Sequence, residues 1–170
     1  MTEKADLTIR KATLADIPTI QSIANVAFPD TYKDIITPEQ CAYMMDMMYS
    51  TDSLTTQMTE QHHTYLLCDM DDRTVGYVSV QPLEKDVFEL QKIYVLPDMQ
   101  GHHIGRFLFD NAVRLVHEQH PEPCRMELHV NRYNRALHFY EHLGMRKLRE
   151  GDYPIGNGFY MNDYIMGIEV

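Results

Sequence analysis

The sequence predicts a single α/β (α+β) domain over residues 1–170, in which a mixed sheet of about seven strands is flanked by helices. Three observations favour this fold. Short runs rich in β-branched and aromatic residues alternate with stretches of helical periodicity. Their order is one strand, three helical stretches, three strands, a helix, a strand, a helix and two strands. The length suits one hydrophobic core.

The first half of the chain is mainly helical by pattern. After a strand at Leu7 to Arg10, Thr13 is typical of a helix cap, and the apolar residues from Ile17 to Ala27 fall on one helical face. A second start is predicted at Thr37, with Pro38 in the first helical position and Gln40 completing a capping box. The methionines of the next helix, residues 43–49, either line a pliable substrate pocket or fill core or an interface.

The second half contains the remaining strands and two amphipathic helices. Phe107, Leu108, Ala112 and Leu115 are predicted to form the buried face of the first of these helices, and Gly144 to end the second. The predicted strands are 64–69, 74–81, 87–95 and 124–130, the helices are 104–117 and 134–143, and two further strands surround Gly156-Asn157-Gly158.

Composition excludes several classes of partner. A formal charge of −10 argues against a nucleic-acid partner, and is compatible either with a cationic substrate or with a solubilising surface. No apolar run approaches the roughly 20 residues that span a bilayer, and Met1 to Arg10 lacks the apolar segment of a secretory signal. The three cysteines form no paired motif, which favours reduced thiols in a cytoplasmic protein.

The histidines do not predict a metal site. His117 and His120 lack the spacing of a zinc-binding HExxH motif. His138 and His142 have helical i, i+4 spacing, but no third ligand is evident. We therefore expect no bound metal.

The segment from Ile93 to Arg106 carries the main functional signal. A strand ends at a proline-containing turn, and a short polar loop with Gly101 then opens directly into a helix containing Gly105. The first turn of a helix leaves about four backbone N–H groups without internal partners, and its dipole favours anions. The residues alone leave two interpretations open: a phosphate-binding loop or an ordinary turn between strand and helix.

Two segments of the chain resemble the GNAT superfamily of N-acetyltransferases. The first matches the family's pyrophosphate loop, Gln/Arg-x-x-Gly-x-Gly/Ala, at Gln100 and Gly105, with His103 at the position of the first glycine. The second matches a family helix, with its motif residues at Asn134, Ala136, Phe139, Tyr140, Gly144 and Met145. The histidine matters only if its position requires a positive φ or very close approach to the ligand.

The resemblance implies an acetyl-CoA-dependent N-acetyltransferase that transfers acetyl directly from the thioester to a primary amine of a small molecule. It implies a GNAT fold, in which two central strands splay apart to form the CoA cleft. The residues expected to bind the coenzyme are Ile93, Tyr94, Val95, Gln100, Gly101, His102, His103, Ile104, Gly105, Arg106 and Asn134. Ile93 and Val95 are expected to act through their backbone groups.

Two residues are expected to be catalytic. By resemblance, Tyr140 is the general acid near the coenzyme sulfur, and a tyrosine is protonated at neutral pH. Glu89, on the strand before the loop, is a candidate base, acting directly or through water, and the alternative is a solvated strand carboxylate. Gln91 shares its predicted face but has no basic group.

The substrate pocket is expected near the first helices. Phe28, Asp30 and Tyr32 are predicted to lie in a loop, where the carboxylate attracts an ammonium and the aromatic rings contact it; the alternative is a loop anchored by buried aromatics. The resemblance is nearest to bacterial polyamine or diamine members. Other hypotheses are a non-catalytic acyl-CoA-binding module, a peptide N-terminal acetyltransferase, and a dimer through the Met-rich helix and the tail.

Overall fold

The computed structural model describes residues 6–170, so residues 1–5 of the predicted domain lie outside the described part. Its sheet has seven strands in the order β1-β2-β3-β4-β5-β7-β6. All neighbours are antiparallel except β4 and β5, which are parallel. The strands are β1 (Leu7–Lys11), β2 (Thr64–Met70), β3 (Arg73–Glu84), β4 (Val87–Val95), β5 (Arg125–Asn131), β6 (Arg146–Gly156) and β7 (Phe159–Glu169). The predicted mixed sheet is confirmed.

Five α-helices flank the sheet: α1 (Ile17–Tyr32), α2 (Pro38–Tyr49), α3 (Thr51–Thr59), α4 (Ile104–Gln119) and α5 (Ala136–His142). Helix α4 packs across β1 to β4, whereas α1 packs on β3 and β4 and also contacts α2 and α3. Helix α5 packs on β5. In the part of the chain from residue 6 onward, no helix has the length and apolar character to span a membrane.

The loop predicted around Phe28 was wrong, because α1 continues to Tyr32 with Pro29 inside it. A proline there removes one backbone donor but is tolerated where packing holds the helix. Phe28 is 1% exposed, and its ring lies 4.6 Å from that of Tyr32, centroid to centroid. The Thr31 hydroxyl also donates to the Ala27 carbonyl at 2.9 Å. Burial of one helical face therefore overrides the local signal of the proline.

The start of α2 was predicted correctly, but its capping box was not. The Thr37 hydroxyl accepts a hydrogen bond from the Gln40 N–H at 3.1 Å. The Gln40 side chain, however, donates to the Tyr160 carbonyl of β7 at 2.8 Å rather than returning to Thr37. The Tyr43 hydroxyl likewise donates to the Ile155 carbonyl at 2.7 Å. These contacts fix α2 against the β6–β7 hairpin.

Helices α4 and α5 differ slightly from their predicted patterns. Phe107, predicted on the buried face of α4, is only partly buried, whereas Phe109 and Val116 belong to that face. Helix α5 begins at Ala136, because the Asn134 side chain accepts the Ala136 N–H at 2.9 Å and holds the preceding turn. Gly144 has φ +103 just after α5, as expected of a glycine that ends a helix.

A close approach between the sheet and α4 depends on Gly76 of β3. A Cβ at this position would lie 2.8 Å from the Tyr94 carbonyl oxygen and 3.1 Å from Leu108 Cδ1. The first contact is with backbone of the neighbouring strand, which has little freedom to move. Gly76 therefore lets α4 lie directly over β3 and β4, and that position sets where the helix begins.

We expect Gly76→Ala to lower the free energy of unfolding by about 1–3 kcal/mol, because overpacking displaces backbone. Urea denaturation measures this change. Gly151→Ala is the matched control: its Cβ would meet only the end of the Tyr153 side chain, at 2.9 Å, and that side chain can rotate. Equal effects of the two substitutions would contradict the assigned contact.

Candidate active site

Strands β4 and β5 pair at three positions only and then separate. The parallel register joins Val87 to Arg125, Phe88 to Met126, and Glu89 to Glu127. Beyond Glu89, β4 continues to Val95 and β5 continues to Asn131 without pairing to each other. The two strands therefore leave a wedge-shaped cleft in the middle of the sheet, as predicted.

The edge of β4 that faces the cleft carries the backbone groups of Ile93 and Val95. The Leu96 N–H donates to the carbonyl of Val75 in β3 at 2.9 Å. Backbone groups of successive strand residues alternate between the two edges. Tyr94 therefore directs its backbone toward β3, while Ile93 and Val95 direct theirs toward the cleft.

A β-bulge interrupts β4 where the cleft begins. Val80 pairs with Leu90 and Ser79 with Lys92, so that Gln91 is the extra residue. A bulge bends its strand and turns neighbouring side chains. Consequently Glu89 and Gln91 do not follow the simple alternation that predicted a shared face, and Gln91 is exposed while Lys92 is buried.

The loop from Gln100 to His103 is exposed and leads into α4. Within residues 6–170, no acceptor from outside α4 pairs with the backbone N–H groups of Gly101 to Arg106. Gly101 has φ +88, and a Cβ there would meet no atom within 4 Å, so its conformation rather than close packing requires glycine. The structure thus presents a run of free donors at the start of a helix.

His103 is the residue before α4 and has φ 60 and ψ 20. This left-handed conformation costs an L-residue roughly 1–2 kcal/mol. A glycine adopts this backbone conformation freely. The family pattern has a glycine where this chain has His103, and the positive φ is the condition under which that difference matters.

The loop lies beside α5. A Cβ on Gly105 would lie 3.3 Å from the Phe139 ring, so the first turn of α4 packs closely on α5. The Arg106 guanidinium is largely exposed and lies 3.8 Å from the Asp110 carboxylate. The packing of Gly105 on Phe139 brings the free donors of the loop and the residues of α5 to one end of the cleft.

Tyr140 of α5 is buried, with 7% of its surface exposed. Within the described residues its hydroxyl has no hydrogen-bond partner in the protein. Burial, together with the nearby Tyr32, raises the pKa of Tyr140 well above its usual value, so the phenol is protonated at neutral pH. The Tyr140 hydroxyl is therefore a protonated donor that no acceptor among residues 6–170 engages.

Glu89 lies on β4 at the last paired position. Burial raises its pKa, His129 opposes this shift, and Glu127 adds to it. Glu127 itself is held by Arg125 at 2.7 Å and by Arg149 at 2.9 Å. In the chain from residue 6 to 170, the Glu89 carboxylate makes no such ion pair, so it is the more available of the two carboxylates.

His129 and Asp163 form a pair that sequence analysis missed. His129 Nδ1 lies 3.3 Å from Asp163 Oδ2, and only 4% of the Asp163 side chain is exposed. The hydrogen bond to Asp163 raises the pKa of His129, burial lowers it, and Glu89 raises it again. The other oxygen of Asp163, Oδ1, is buried and has no partner among the described residues. The two residues are distant in sequence, so no local motif pointed to them.

Comparison with known families assigns the chain. The family model described as an Acetyltransferase (GNAT) domain matches residues 32–166. The chain belongs to the GNAT acetyltransferase family. It is an N-acetyltransferase, with acetyl-CoA as co-substrate.

Known relatives and solved structures agree with this GNAT assignment. The chain is 26% identical over 155 residues to an uncharacterized N-acetyltransferase of Mycobacterium bovis, covering 90% of this chain and 97% of that relative. It is 30% identical over 108 residues to the uncharacterized N-acetyltransferase YjgM of Escherichia coli, covering 62% of either chain.

Two solved structures share the GNAT fold. One is PaiA N-acetyltransferase of Thermoplasma acidophilum in complex with coenzyme A, with a TM-score of 0.81, 20% identity, and coverage of 97% of this chain and 99% of that one. The other is a single-site mutant of spermidine N-acetyltransferase SpeG of Vibrio cholerae, with a TM-score of 0.69, 18% identity, and coverage of 96% of this chain and 93% of that one.

The geometry of this GNAT domain suits a coenzyme A thioester. The unpaired N–H groups of Gly101 to Arg106 suit a diphosphate, and the cleft-facing edge of β4 offers donors and acceptors to amide groups. Among residues 6–170, no three His, Cys, Asp or Glu side chains are grouped to hold a metal ion.

The residues predicted to bind substrate in this GNAT domain are not all together. Tyr32 is buried, and burial raises the pKa of its phenol, which neighbours Tyr94 and Asn134. Phe28 packs against Tyr94, with ring centroids 6.0 Å apart. Asp30 instead points to solvent and lies 3.4 Å from Lys33. Residues two apart on a helix face different directions, which separates Asp30 from the two aromatic rings.

Substitution of His103 tests the strain at the loop. We expect His103→Gly to leave the free energy of unfolding unchanged or to raise it by up to about 1 kcal/mol, because relief of the positive φ exceeds the entropy cost of glycine. His103→Val should lower it by about 1–2 kcal/mol, since β-branched residues adopt this region poorly. Urea denaturation gives both values. A valine variant as stable as the parent would show that residue 103 is not held at positive φ.

Proposed function

We propose that this protein transfers acetyl directly from acetyl-CoA to the primary amine of a small molecule. One observation supports the proposal: β4 and β5 separate beyond Glu89, the free N–H groups of the loop lie beside α5, which carries Tyr140, and His129 pairs with Asp163 across β5 and β7. The thioester supplies an activated acetyl group when it is bound. Each task that remains, from holding the donor to moving protons, has a residue in this cleft.

The loop and β4 are the proposed coenzyme-binding elements. Gly101 to Arg106 bind the diphosphate through backbone N–H groups, supported by the helix dipole of α4. Gln100, whose own N–H donates to the Pro97 carbonyl at 3.4 Å, contributes its side chain. Ile93 and Val95 bind the pantetheine amides, and a backbone N–H of this strand stabilises the acetyl oxygen. Asn134 and Tyr94 are proposed to support coenzyme binding by holding neighbouring elements in place. The Asn134 side chain fixes the start of α5, and the Tyr94 ring packs against Phe28 of α1.

The pair His129–Asp163 is the proposed base, together with Glu89. An amine attacks a thioester only when it is neutral, so a proton must be removed from the ammonium. Asp163 fixes the His129 tautomer by accepting from Nδ1, which leaves Nε2 to accept a proton. Glu89, with its raised pKa, stabilises the protonated imidazole or receives the proton through water.

Tyr140 is the proposed acid. Its free hydroxyl, kept protonated by burial, donates to the departing coenzyme sulfur and thereby avoids release of a bare thiolate. Tyr32 lies close enough to affect its pKa, so substitution of Tyr32 should also disturb this position.

The acceptor proposed from the sequence is a polyamine or diamine. The acidic composition supports a cationic acceptor, and the exposed carboxylate of Asp30 gives a first contact at the end of α1. The fold of spermidine N-acetyltransferase SpeG is shared at a TM-score of 0.69. A peptide N-terminus is a second candidate, and acyl-CoA binding without transfer is a third.

Acceptor identity is tested by incubation with acetyl-CoA and a panel of amines, with detection of the released free thiol and mass spectrometry of products. The panel contains diamines, spermidine, amino acids and N-terminal peptides. We expect saturable acetylation of a small primary amine. Tight binding of acetyl-CoA with no product from any acceptor would favour the non-catalytic module instead.

Two further proposals concern the whole protein. Cys41, Cys68 and Cys124 are free thiols, which is consistent with a cytoplasmic location. A homodimer through α2 and the β6–β7 hairpin is also proposed, although these elements contact each other within one chain through Tyr43 and Gln40. The outer face of α2, with the exposed Met47, and the exposed Tyr160 of the hairpin remain for a partner.

Replacement of Tyr140 by Phe tests the acid. We expect Tyr140→Phe to lower kcat by about 10²-fold or more, because general acid catalysis contributes this much, while acetyl-CoA affinity changes little. Tyr133→Phe is the matched control, since Tyr133 is 75% exposed on the preceding turn. Unchanged turnover in Tyr140→Phe would remove Tyr140 from the acid role.

Replacement of Asp163 by Asn tests the base. The variant loses the carboxylate that raises the pKa of His129, so the His129 pKa measured by NMR should fall and the acidic limb of kcat/KM should move to lower pH. Because the folded pKa is raised, the stabilisation from this pair is complete below about pH 6.5. This stabilisation is lost as the pH rises through the His129 pKa of the folded protein. The difference in free energy of unfolding between parent and Asp163→Asn should therefore narrow at higher pH.

Glu89→Gln is the comparison for that experiment. If the acidic limb stays in place in Asp163→Asn but disappears in Glu89→Gln, Glu89 rather than His129 is the base.

A further inference from the structure

A second cavity lies on the α2–α3 side of the sheet, apart from the proposed loop and base. It has a volume of about 620 Å³ and is bounded by α2, α3, β3 and β4. Polar side chains dominate its wall, among them Gln57, His63, Gln81, Gln91 and Lys92. We call it the Lys92 cavity. Its volume is within the usual range for small-molecule sites.

The wall of the Lys92 cavity contains no carboxylate, although the chain has 25 Asp and Glu residues. Lys92 is only 5% exposed. Its ammonium donates to the Tyr65 hydroxyl at 2.6 Å, to Gln57 Oε1 at 3.0 Å and to the Met48 carbonyl at 3.3 Å. It also lies 4.4 Å from the centroid of the Tyr49 ring. Within residues 6–170 no acidic side chain pairs with it. A buried cation of this kind is costly unless an anion balances it.

Donors for an anion are present in the same wall. His63 is 8% exposed, and its buried Nδ1 has no partner among the described residues. Gln81 and Gln91 add amide N–H groups at the rim. Because the three donors of Lys92 are already used within the protein, Lys92 supplies positive charge, while the imidazole and the amides supply hydrogen bonds to the ligand.

We propose that the Lys92 cavity binds the carboxylate group of a small organic acid or amino acid. The carboxylate provides the counter-charge that the protein does not, and it satisfies the unpartnered imidazole nitrogen. Lys92 is adjacent in sequence to Ile93, whose backbone faces the cleft. The carboxylate therefore belongs either to the acceptor amine itself, in which case the inference rests on the proposed function, or to a separate ligand beside it.

The charge state of Lys92 makes this binding depend on pH. Burial lowers the pKa of Lys92 to about 7 in the empty protein, and a bound carboxylate raises it again. Burial and the nearby Lys92 lower the pKa of His63 to about 4, and burial raises the pKa values of Tyr49, Tyr65 and Tyr77 above their usual range. His62 is a further titratable residue of the cavity wall. Carboxylate affinity should therefore be highest below pH 7 and fall by up to about tenfold per pH unit above it.

The first test is calorimetric titration without acetyl-CoA, using glutarate and cadaverine, which share a five-carbon chain but end in opposite charges. We expect saturable binding of glutarate, weaker at pH 8.5 than at pH 6, and no displacement of glutarate by cadaverine. Lys92→Met should weaken glutarate binding at least about tenfold, the loss of one close charge contact. Lys147→Met, which removes a lysine from the edge strand β6, three strands away from β4, should leave the affinity unchanged.

A second variant guards against a folding defect in Lys92→Met. Gln81→Glu places a carboxylate at the partly exposed rim and should also weaken glutarate binding about tenfold or more, while thermal melting and acetyl-CoA binding are kept. No saturable glutarate binding by the parent protein, or parental affinity in both cavity variants, would overturn the proposal.

Kinetics then distinguish the two sources of the carboxylate. If an amino acid is the acceptor, Lys92→Met raises its KM and leaves kcat nearly unchanged. If glutarate binds without competing with the acceptor amine, the ligand is separate. Both results support carboxylate binding in the Lys92 cavity. If the protein transferred acetyl to no amine, the proposed function would be contradicted, but the glutarate titration would still test the cavity.

Discussion

The separation of β4 from β5 after Glu89 is the constraint on which the rest of this site depends. A sheet normally pairs every backbone group of a central strand, yet here the edge of β4 from Leu90 to Val95 has no strand beside it. The bulge at Gln91 provides the bend, and Gly76 allows α4 to lie over the opened strand. Unpaired backbone groups at a cleft are costly in isolation, and a ligand with amide groups relieves that cost.

The opposite face of the sheet is held by a layer of buried tyrosines. The Tyr77 hydroxyl bonds to that of Tyr49 at 2.6 Å, and Tyr65 links Gln57 with Lys92. Buried polar networks are stable only when their groups are satisfied together, and they then fix one arrangement of the core. This layer fixes the helices α1 to α3 relative to β4, and it is the reason that Lys92 is held without a carboxylate partner.

Much of the fold was predictable because its signals are local. Strand alternation, the cap at Thr37 and the glycine at Gly144 each depend on residues within about one turn, and the structure bears them out. The loop predicted at Phe28 and the returning side chain of Gln40 were wrong, because packing of α1 and a contact with Tyr160 of β7 outweighed local preference. Roles assigned to Tyr140, Glu89 and the loop remain predictions, supported by the separation of β4 and β5 beyond Glu89.

The sequence by itself determined the order of the elements and the exposed loop that opens into α4, since both follow from composition and spacing along the chain. Tertiary structure alone decided which distant side chains meet. His129 lies 34 residues from Asp163, and Lys92 lies 27 residues from Tyr65. The pKa of a group and the sign of charge in a cavity depend on such neighbours rather than on sequence spacing. For that reason the proposed base and the Lys92 cavity emerged only when the chain was folded.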